Sequence, residues 1–253
     1  LQKQINADFE LSADFLDNII LNFDTEGEDF GNQDRNSLKL FKSNNGMCLN
    51  VKSFKVPNAI NQVAYKFFRK SKAQRSFEYA NKLKELEVGT PQPIAYYEFT
   101  TAFLFKKSYY ISEQQPCDLT YRELTTNLNY KNHETILRAF TRFTFNLHEK
   151  NIHFLDHSPG NTLIEINNGN YKFYLVDLNR MEFKKLDFET RVKNFSKLTV
   201  HKSMIEIMSD EYAKCIGASY DKVFDVMWQT TQAFQEKYHR KKRLKKKLKF
   251  WKT

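Results

Sequence analysis

Glycine and proline are scarce in this chain, seven and five among 253 residues. So few breakers disfavour a loop-rich or repeat architecture, and no period of the solenoid or propeller kind runs through it. Cysteine is scarcer still. Cys48, Cys117 and Cys215 stand far apart, and an odd, dispersed set suits neither a disulfide framework nor a zinc site. Reduced thiols in a cytosolic protein are expected. No stretch of about 18 apolar residues occurs, so no membrane-spanning helix is expected. Leu1 to Phe15 carry acids and amides without a long apolar run, so no signal peptide is expected at this end. The missing initiator Met points to a trimmed or fragmentary N-terminus. Two phosphate-binding signatures are also lacking. Without Gly-x-x-x-x-Gly-Lys-Ser/Thr a P-loop fold is out, and no Gly-x-Gly-x-x-Gly occurs either.

What is present is a foldable, aromatic-rich chain, 41% hydrophobic and 15% aromatic, long enough for one large domain or two small lobes. The net charge is +10, but most of it lies in Arg240-Lys-Lys-Arg-Leu-Lys-Lys-Lys-Leu-Lys-Phe-Trp-Lys252. Without that stretch the body is close to neutral. The basicity is local and does not make a general nucleic-acid-binding field.

Residues 17–56 read as β-rich. Asn18–Phe23 is a strand candidate, Asp24–Asn36 a polar loop, and Ser37–Phe41 and Met47–Phe54 two strands joined by a Ser43-Asn-Asn-Gly46 turn. Ala73, Phe77, Ala80, Leu83 and Leu86 recur at helical spacing over residues 71–87, with Gly89 to close the helix before Pro91. Ile94–Glu98, Phe103–Phe105 and Ser108–Ser112 read as further strands. The first part is thus a sheet with one packed helix. Structure breaks near Glu113–Asp118. Beyond it, Ile136, Phe140, Phe143 and Leu147 share a helical face, Thr162–Ile166 and Lys172–Val176 form a hairpin, and helix dominates after Asp177. Tyr220, Phe224, Met227, Thr231, Phe234 and Tyr238 make a long amphipathic stripe. The expected organisation is an N-terminal lobe over 1–115, a C-terminal lobe over 116–238 and a basic tail over 239–253.

The chemistry-bearing segment is Ile152-His-Phe-Leu-Asp-His-Ser-Pro-Gly-Asn-Thr-Leu-Ile164, followed by the hairpin and Leu175-Val-Asp-Leu-Asn179. Asp156 and Asn161 are separated by four residues, Asn161 leads into an apolar strand, and Asp177 ends the next one. Phosphoryl transfer needs such a set: one carboxylate to orient the attacking hydroxyl and accept its proton, and a carboxylate with an amide oxygen to hold magnesium against the phosphates of ATP. Asp156 is then the catalytic base, and Asn161 and Asp177 the metal ligands. A lone Asp-x-x-x-x-Asn would read more simply as turn chemistry. The amphipathic helix before it, the hairpin after it and the later Val-Asp turn the reading to catalysis. His153 and His157 read as polar turn residues, with an acid–base or metal role as the alternative.

The first lobe should supply a lysine for the ATP phosphates and a helix glutamate to hold it. Lys52 alternates with Val51 and Ser53 and is the choice, with Lys55 as the fallback. Glu78 sits beside the buried helical stripe and is the expected partner of Lys52, a solvated helix acid being the other reading. Gly27 and Gly31 are the candidates for a loop over the phosphates.

On these motifs the sequence resembles the lipopolysaccharide kinases, the Kdo kinase and heptose kinase group also called InaA-like. The pieces that carry the resemblance are Val51-Lys-Ser-Phe-Lys-Val-Pro57, Phe68-Arg-Lys-Ser-Lys-Ala73 with Arg75 and Glu78, Thr90-Pro-Gln-Pro-Ile94, Asp156-His-Ser-Pro-Gly-Asn161 and Val176-Asp-Leu-Asn-Arg180. The resemblance implies an α+β, protein-kinase-like two-lobed fold, with a β-rich N-lobe carrying one main helix and a mostly helical C-lobe. It implies a Gram-negative enzyme that moves the ATP γ-phosphate to a sugar hydroxyl on the lipid A inner core, at the inner face of the cytoplasmic membrane. The chain departs from the general kinase pattern in two places. Phe154-Leu-Asp156 replaces His-Arg-Asp, and Asp177-Leu-Asn179 replaces Asp-Phe-Gly. No Ala-Pro-Glu follows, which argues for a small or lipid-linked acceptor rather than a protein.

Arg69, Lys70, Lys72 and Arg75 cluster around the start of the Glu78 helix. Arg69, Lys72 and Arg75 are candidates for meeting anionic sugar acids or phosphates, a solvated helix start being equally open. The 240–252 segment, with Leu244, Leu248, Phe250 and Trp251 among its basics, suits an anionic membrane surface. A solubilising tail or an RNA-binding one is the alternative, the latter fitting a RIO-like or tRNA-modification-associated kinase. A non-catalytic pseudokinase is disfavoured because both aspartates are in place.

Overall fold

The computed structural model describes residues 1–31, 36–43 and 46–250, with side chains described throughout except at 10, 11 and 246–250. The chain divides into two compact units. One comprises Leu1–Pro116 with Leu175–Asn179, the other Cys117–Tyr174 with Arg180–Thr253.

The first unit contains β1 (Gln2–Ile5), a 3-10 turn (Ala7–Ser12), α1 (Ala13–Leu21), β2 (Glu28–Asp29), β3 (Ser37–Lys42), β4 (Cys48–Phe54), α2 (Ala59–Phe67), α3 (Lys72–Glu85), β5 (Pro93–Thr100) and β6 (Phe105–Glu113). Its strands form one antiparallel sheet in the order β1-β5-β6-β4-β3-β2. The two sheet faces carry different helices. Leu49, Val51, Tyr97 and Ile111 pack with Leu16, Ile19 and Ile20 of α1, whereas Phe54 and Tyr96 pack with Ala73 and Phe77 of α3.

Three expectations need correction here. Asn18–Phe23 is not a strand. Leu16, Ile19, Ile20 and Phe23 are all buried at helical spacing, so the short apolar run was the second half of a stripe that begins earlier. Phe103 lies in no strand but in an exposed turn, where Thr101 N–H donates to the Leu104 carbonyl. The α3 helix is not closed by Gly89. The left-handed position after it is Glu87, at φ 54°, and Val88 N–H returns to the Leu83 carbonyl. At its other end Ser71 caps α3, its Oγ accepting from Gln74 N–H at 3.0 Å. Gly89 instead anchors another segment. Its carbonyl accepts from Leu175 N–H at 2.9 Å, and Thr90 Oγ1 donates to the Leu175 carbonyl at 2.9 Å. These two bonds tie 175–179, and so Asp177, to the first unit. Asn44 and Asn45 of the expected turn, and 32–35 of the polar loop, lie outside the described residues.

The second unit contains β7 (Leu119–Thr120), α4 (Tyr121–Thr126), α5 (His133–Glu149), β8 (Ile152–Phe154), β9 (Thr162–Asn167), β10 (Asn170–Leu175), β11 (Met181–Phe183), α6 (Phe188–Lys193), α7 (Lys202–Ile216) and α8 (Tyr220–Phe250). A sheet β10-β9-β7 and a pair β11-β8 flank a helical core. That core gathers Ile136 and Phe140 of α5, Tyr121, Phe195, Met208 and Tyr212. The α8 stripe is narrower than its sequence implies. Val223, Met227 and Thr231 are buried, whereas Tyr220 and Tyr238 are exposed. The α8 helix continues from Tyr220 through 239 to Phe250, so the basic segment is helical over that range.

Two buried histidines brace this core. Asn194 Nδ2 donates to the Phe154 carbonyl at 2.9 Å, so its Oδ1 accepts from His148 Nε2 at 3.2 Å, and His148 Nδ1 takes the Tyr212 hydroxyl at 2.8 Å. Thr144 donates to the Phe140 carbonyl and meets His157 Nε2 at 3.3 Å, leaving His157 Nδ1 buried with no partner among the described residues. Both rings are therefore neutral. Burial pushes His148 down to about 4 and His157 down to about 3. In the unfolded chain they titrate near the ordinary value of about 6.5. The unfolded state binds more protons below that value, so the stability they contribute is complete above about 6.5 and lost as pH falls toward 4 and then 3. Acid unfolding should accordingly steepen below pH 6.5, and His157→Phe should flatten the melting temperature against pH over pH 6.5–4. A profile unchanged by that substitution would dismiss His157 as the cause.

Candidate active site

In the first unit Lys52 emerges from β4 on the α3 face of the sheet, its Nζ 5.3 Å from the Phe54 ring centroid. Its Nζ donates to Asp177 Oδ1 at 2.7 Å, and Asn179 Nδ2 donates to the same oxygen at 2.7 Å. Asp177 Oδ2 has no hydrogen-bond donor among the described residues. Asp177 also holds a left-handed backbone, φ 58°, which a non-glycine residue adopts at some cost. A half-buried lysine and a strained carboxylate thus meet although 125 positions separate them.

The expected Lys52–Glu78 pair is not formed. Glu78 is taken by Lys70, which reaches both its oxygens at 2.8 Å, and by Gln74 Nε2 at 3.0 Å. Lys70 stands just ahead of the α3 cap and Gln74 one turn before Glu78, so both have a shorter reach than a strand lysine. The fallback Lys55 is exposed, with its backbone N–H on Asn36 Oδ1. Gly27 has φ +83°, and a Cβ there would stand 2.5 Å from Phe41 Cζ, so packing on Phe41 accounts for this glycine. Gly31 has φ +68° and open space around it. Arg69 lines a shallow cavity of about 300 Å³ together with Lys66 and Lys70, whereas Lys72 and Arg75 do not line it.

In the second unit Asp156 follows β8. Its Oδ1 accepts from Arg180 at 2.9 Å, and Lys197 Nζ lies 3.9 Å from the same oxygen. Lys197 also donates to the Leu155 carbonyl, and Asn161 Nδ2 to the Asp156 carbonyl at 2.8 Å. That last bond engages the Asn161 amide nitrogen, and the amide oxygen has no partner among the described residues. Sequence reading did not find Arg180 or Lys197. Arg180 follows directly on the Val-Asp-Leu-Asn motif, a signal that could have been used, but Lys197 stands in a loop 41 residues beyond Asp156 with nothing local to mark it. Burial lowers the Lys197 pKa, Asp156 opposes that shift, and Arg180 adds to it. His153 pairs with Glu182 at 3.3 Å across β8 and β11, and His157 stacks on Phe140, so neither is a free turn histidine. No cluster of three or more His, Cys, Asp or Glu able to hold a metal occurs among the described residues.

The sequence model of the lipopolysaccharide kinase (Kdo/WaaP) family matches residues 57–218. The chain belongs to this family. Like other Kdo/WaaP kinases it is therefore a phosphotransferase of the lipopolysaccharide core, using ATP to phosphorylate a sugar hydroxyl. No curated protein sequence matches the chain significantly. Among solved structures it is similar to WaaP in complex with acyl carrier protein, at 11% identity, covering 95% of this chain and 99% of that one, with a TM-score of 0.65. It is also similar to the MAP kinase LmaMPK10 from Leishmania major, at 12% identity, covering 85% of this chain and 64% of that one, with a TM-score of 0.50. These likenesses establish the protein-kinase-like fold. Family membership also sets the chain apart from the RIO-like alternative.

Within such a kinase Lys197 is expected to hold the Leu155–Asp156 backbone rather than to touch nucleotide. Lys197→Met should lower kcat roughly tenfold to a hundredfold with little change in KM for ATP. A rise in KM at constant kcat would place Lys197 on the nucleotide instead.

Proposed function

We propose that this protein transfers the γ-phosphate of ATP to a hydroxyl of Kdo or heptose on the lipid A inner core, working at the inner face of the cytoplasmic membrane of a Gram-negative cell. The observation that carries the reading is the Lys52–Asp177 contact in a chain of this family. It joins the cation suited to nucleotide phosphates and the carboxylate suited to their metal within one unit.

The donor set fits magnesium, which prefers hard oxygens and commonly takes one or two protein ligands beside phosphates and water. In the first unit Asp177 offers Oδ2, and in the second Asn161 offers its amide oxygen, each without a hydrogen-bond partner among the described residues. When bound, magnesium would neutralise charge on the phosphates. The chain's own residues do the rest. Lys52 neutralises phosphate oxygens once it leaves Asp177. Asp156 orients the acceptor hydroxyl and takes its proton, Arg180 fixing the carboxylate through Oδ1. Gly31, unobstructed and left-handed, suits a backbone that approaches phosphates closely. Arg69, Lys72 and Arg75 supply positive charge for an anionic acceptor.

Phosphate transfer from labelled ATP to purified lipid A–Kdo, with and without heptose, tests the reading and separates the two sugars. No transfer to either acceptor, together with ATP hydrolysis stimulated by RNA, would defeat it. The outer part of α8 carries exposed Arg240, Lys241, Lys242, Arg243 and Lys245, while Trp251 and Lys252 lie outside the described residues. Each such cation contributes about 1 kcal/mol near an anionic leaflet. Deleting 240–253 should weaken binding to anionic vesicles at least tenfold and leave ATP affinity intact, as flotation and calorimetry would show.

A further inference from the structure

The α2 helix has no buried residue, an arrangement foreign to an ordinary surface helix, which hides one face. Its apolar side chains point outward: Ile60 is 82% exposed, Val63 40%, Phe67 54%, and the adjoining Phe68 81%. Positions 60, 63 and 67 follow helical spacing, so they form one stripe and not a scatter. The Thr101–Leu104 turn is nearby, because Lys66 Nζ donates to Thr100 Oγ1 at 3.1 Å and the Tyr65 ring meets Phe105 at 5.7 Å. That turn carries Phe103, itself 73% exposed. Soluble proteins seldom leave such an apolar surface uncovered without a partner for it.

The surrounding charge identifies the partner. From Lys55 to Arg75 the chain has six basic residues and no acid. Arg69, Lys66 and Lys70 line the cavity of about 300 Å³ beside the apolar stripe, together with Phe67, Phe68 and one acid, the buried Glu98. Lys70 is balanced by Glu78, and Arg69 has no acidic partner among the described residues. Exposed aromatic and aliphatic side chains bordered by cations match the boundary between acyl chains and anionic headgroups, where each kind of group meets its complement. We infer that α2, with Phe68 and Phe103, docks this protein onto an anionic phospholipid bilayer. In that pose the stripe enters the upper acyl region and Arg69 meets headgroup phosphate. The inference rests on this surface alone, whatever the phosphate acceptor proves to be, and it is separate from the charge of α8.

Flotation of the full chain with phosphatidylglycerol–phosphatidylcholine vesicles, against phosphatidylcholine alone, tests it. The protein should partition onto the anionic vesicles, and the Ile60→Ser/Phe68→Ser double variant should do so at least tenfold less, with an unchanged melting temperature and unchanged phosphate transfer to a detergent-dispersed acceptor. A local probe separates this face from α8. Emission added by Phe68→Trp over the wild type should be quenched by chain-brominated anionic lipid. Emission added by Leu21→Trp, exposed on α1 across the sheet from α3, should not. Equal binding of double variant and wild type, absence of quenching at position 68, or equal binding to neutral vesicles would each overturn the proposal. So would a dimer that the double substitution dissolves without any vesicle binding, which would assign the face to a second copy. Phosphate transfer that fails while quenching persists would reject the acceptor and leave this surface standing.

Discussion

Asp177→Asn should abolish magnesium-dependent nucleotide binding and lower phosphate transfer by on the order of a thousandfold or more. Asparagine is the informative replacement because it tolerates the left-handed backbone at φ 58°, where alanine would add strain of its own. The amide oxygen can still accept from Lys52, so folding should suffer by only about 1 kcal/mol. Isothermal calorimetry with ATP and magnesium, beside a thermal melt, separates the two effects. A variant that melts normally yet turns over ATP at the native rate would show that another group holds the metal.

Asp156→Asn should spare nucleotide affinity and remove the chemical step. Losing a positioned general base typically lowers rate by about 10²–10⁴. Arg180 can still donate to the asparagine oxygen, and the Asn161 bond runs to the backbone carbonyl of residue 156, which the substitution retains. Local geometry should therefore survive, and the loss should appear in kcat with KM for ATP little changed. Single-turnover transfer to the sugar acceptor checks this. A variant with near-native kcat would move the base elsewhere and reduce Asp156 to an anchor for Arg180.

Sequence alone determined the features written in local spacing. The α3 and α5 helices followed from apolar stripes of period 3.6, and the β9–β10 hairpin from two apolar runs around Asn167-Asn-Gly-Asn170; the proposed catalytic set of Asp156, Asn161 and Asp177 was read from the same local spacing. Local spacing misled where a stripe was read from its middle, as at Asn18–Phe23, and it was silent on α2, whose apolar residues bury nothing. Only the tertiary structure decided the partners. Lys52 meets Asp177 and not Glu78, Glu78 is held by Lys70, Asp156 is faced by Arg180 and Lys197, and two hydrogen bonds, one donated by Leu175 to Gly89 and one by Thr90 to Leu175, place Asp177 with the first unit. The reason is physical. Periodicity reports which face of an element is apolar, whereas an ion pair depends on the through-space distance between groups that can lie 125 residues apart, and that distance exists only once the chain has folded.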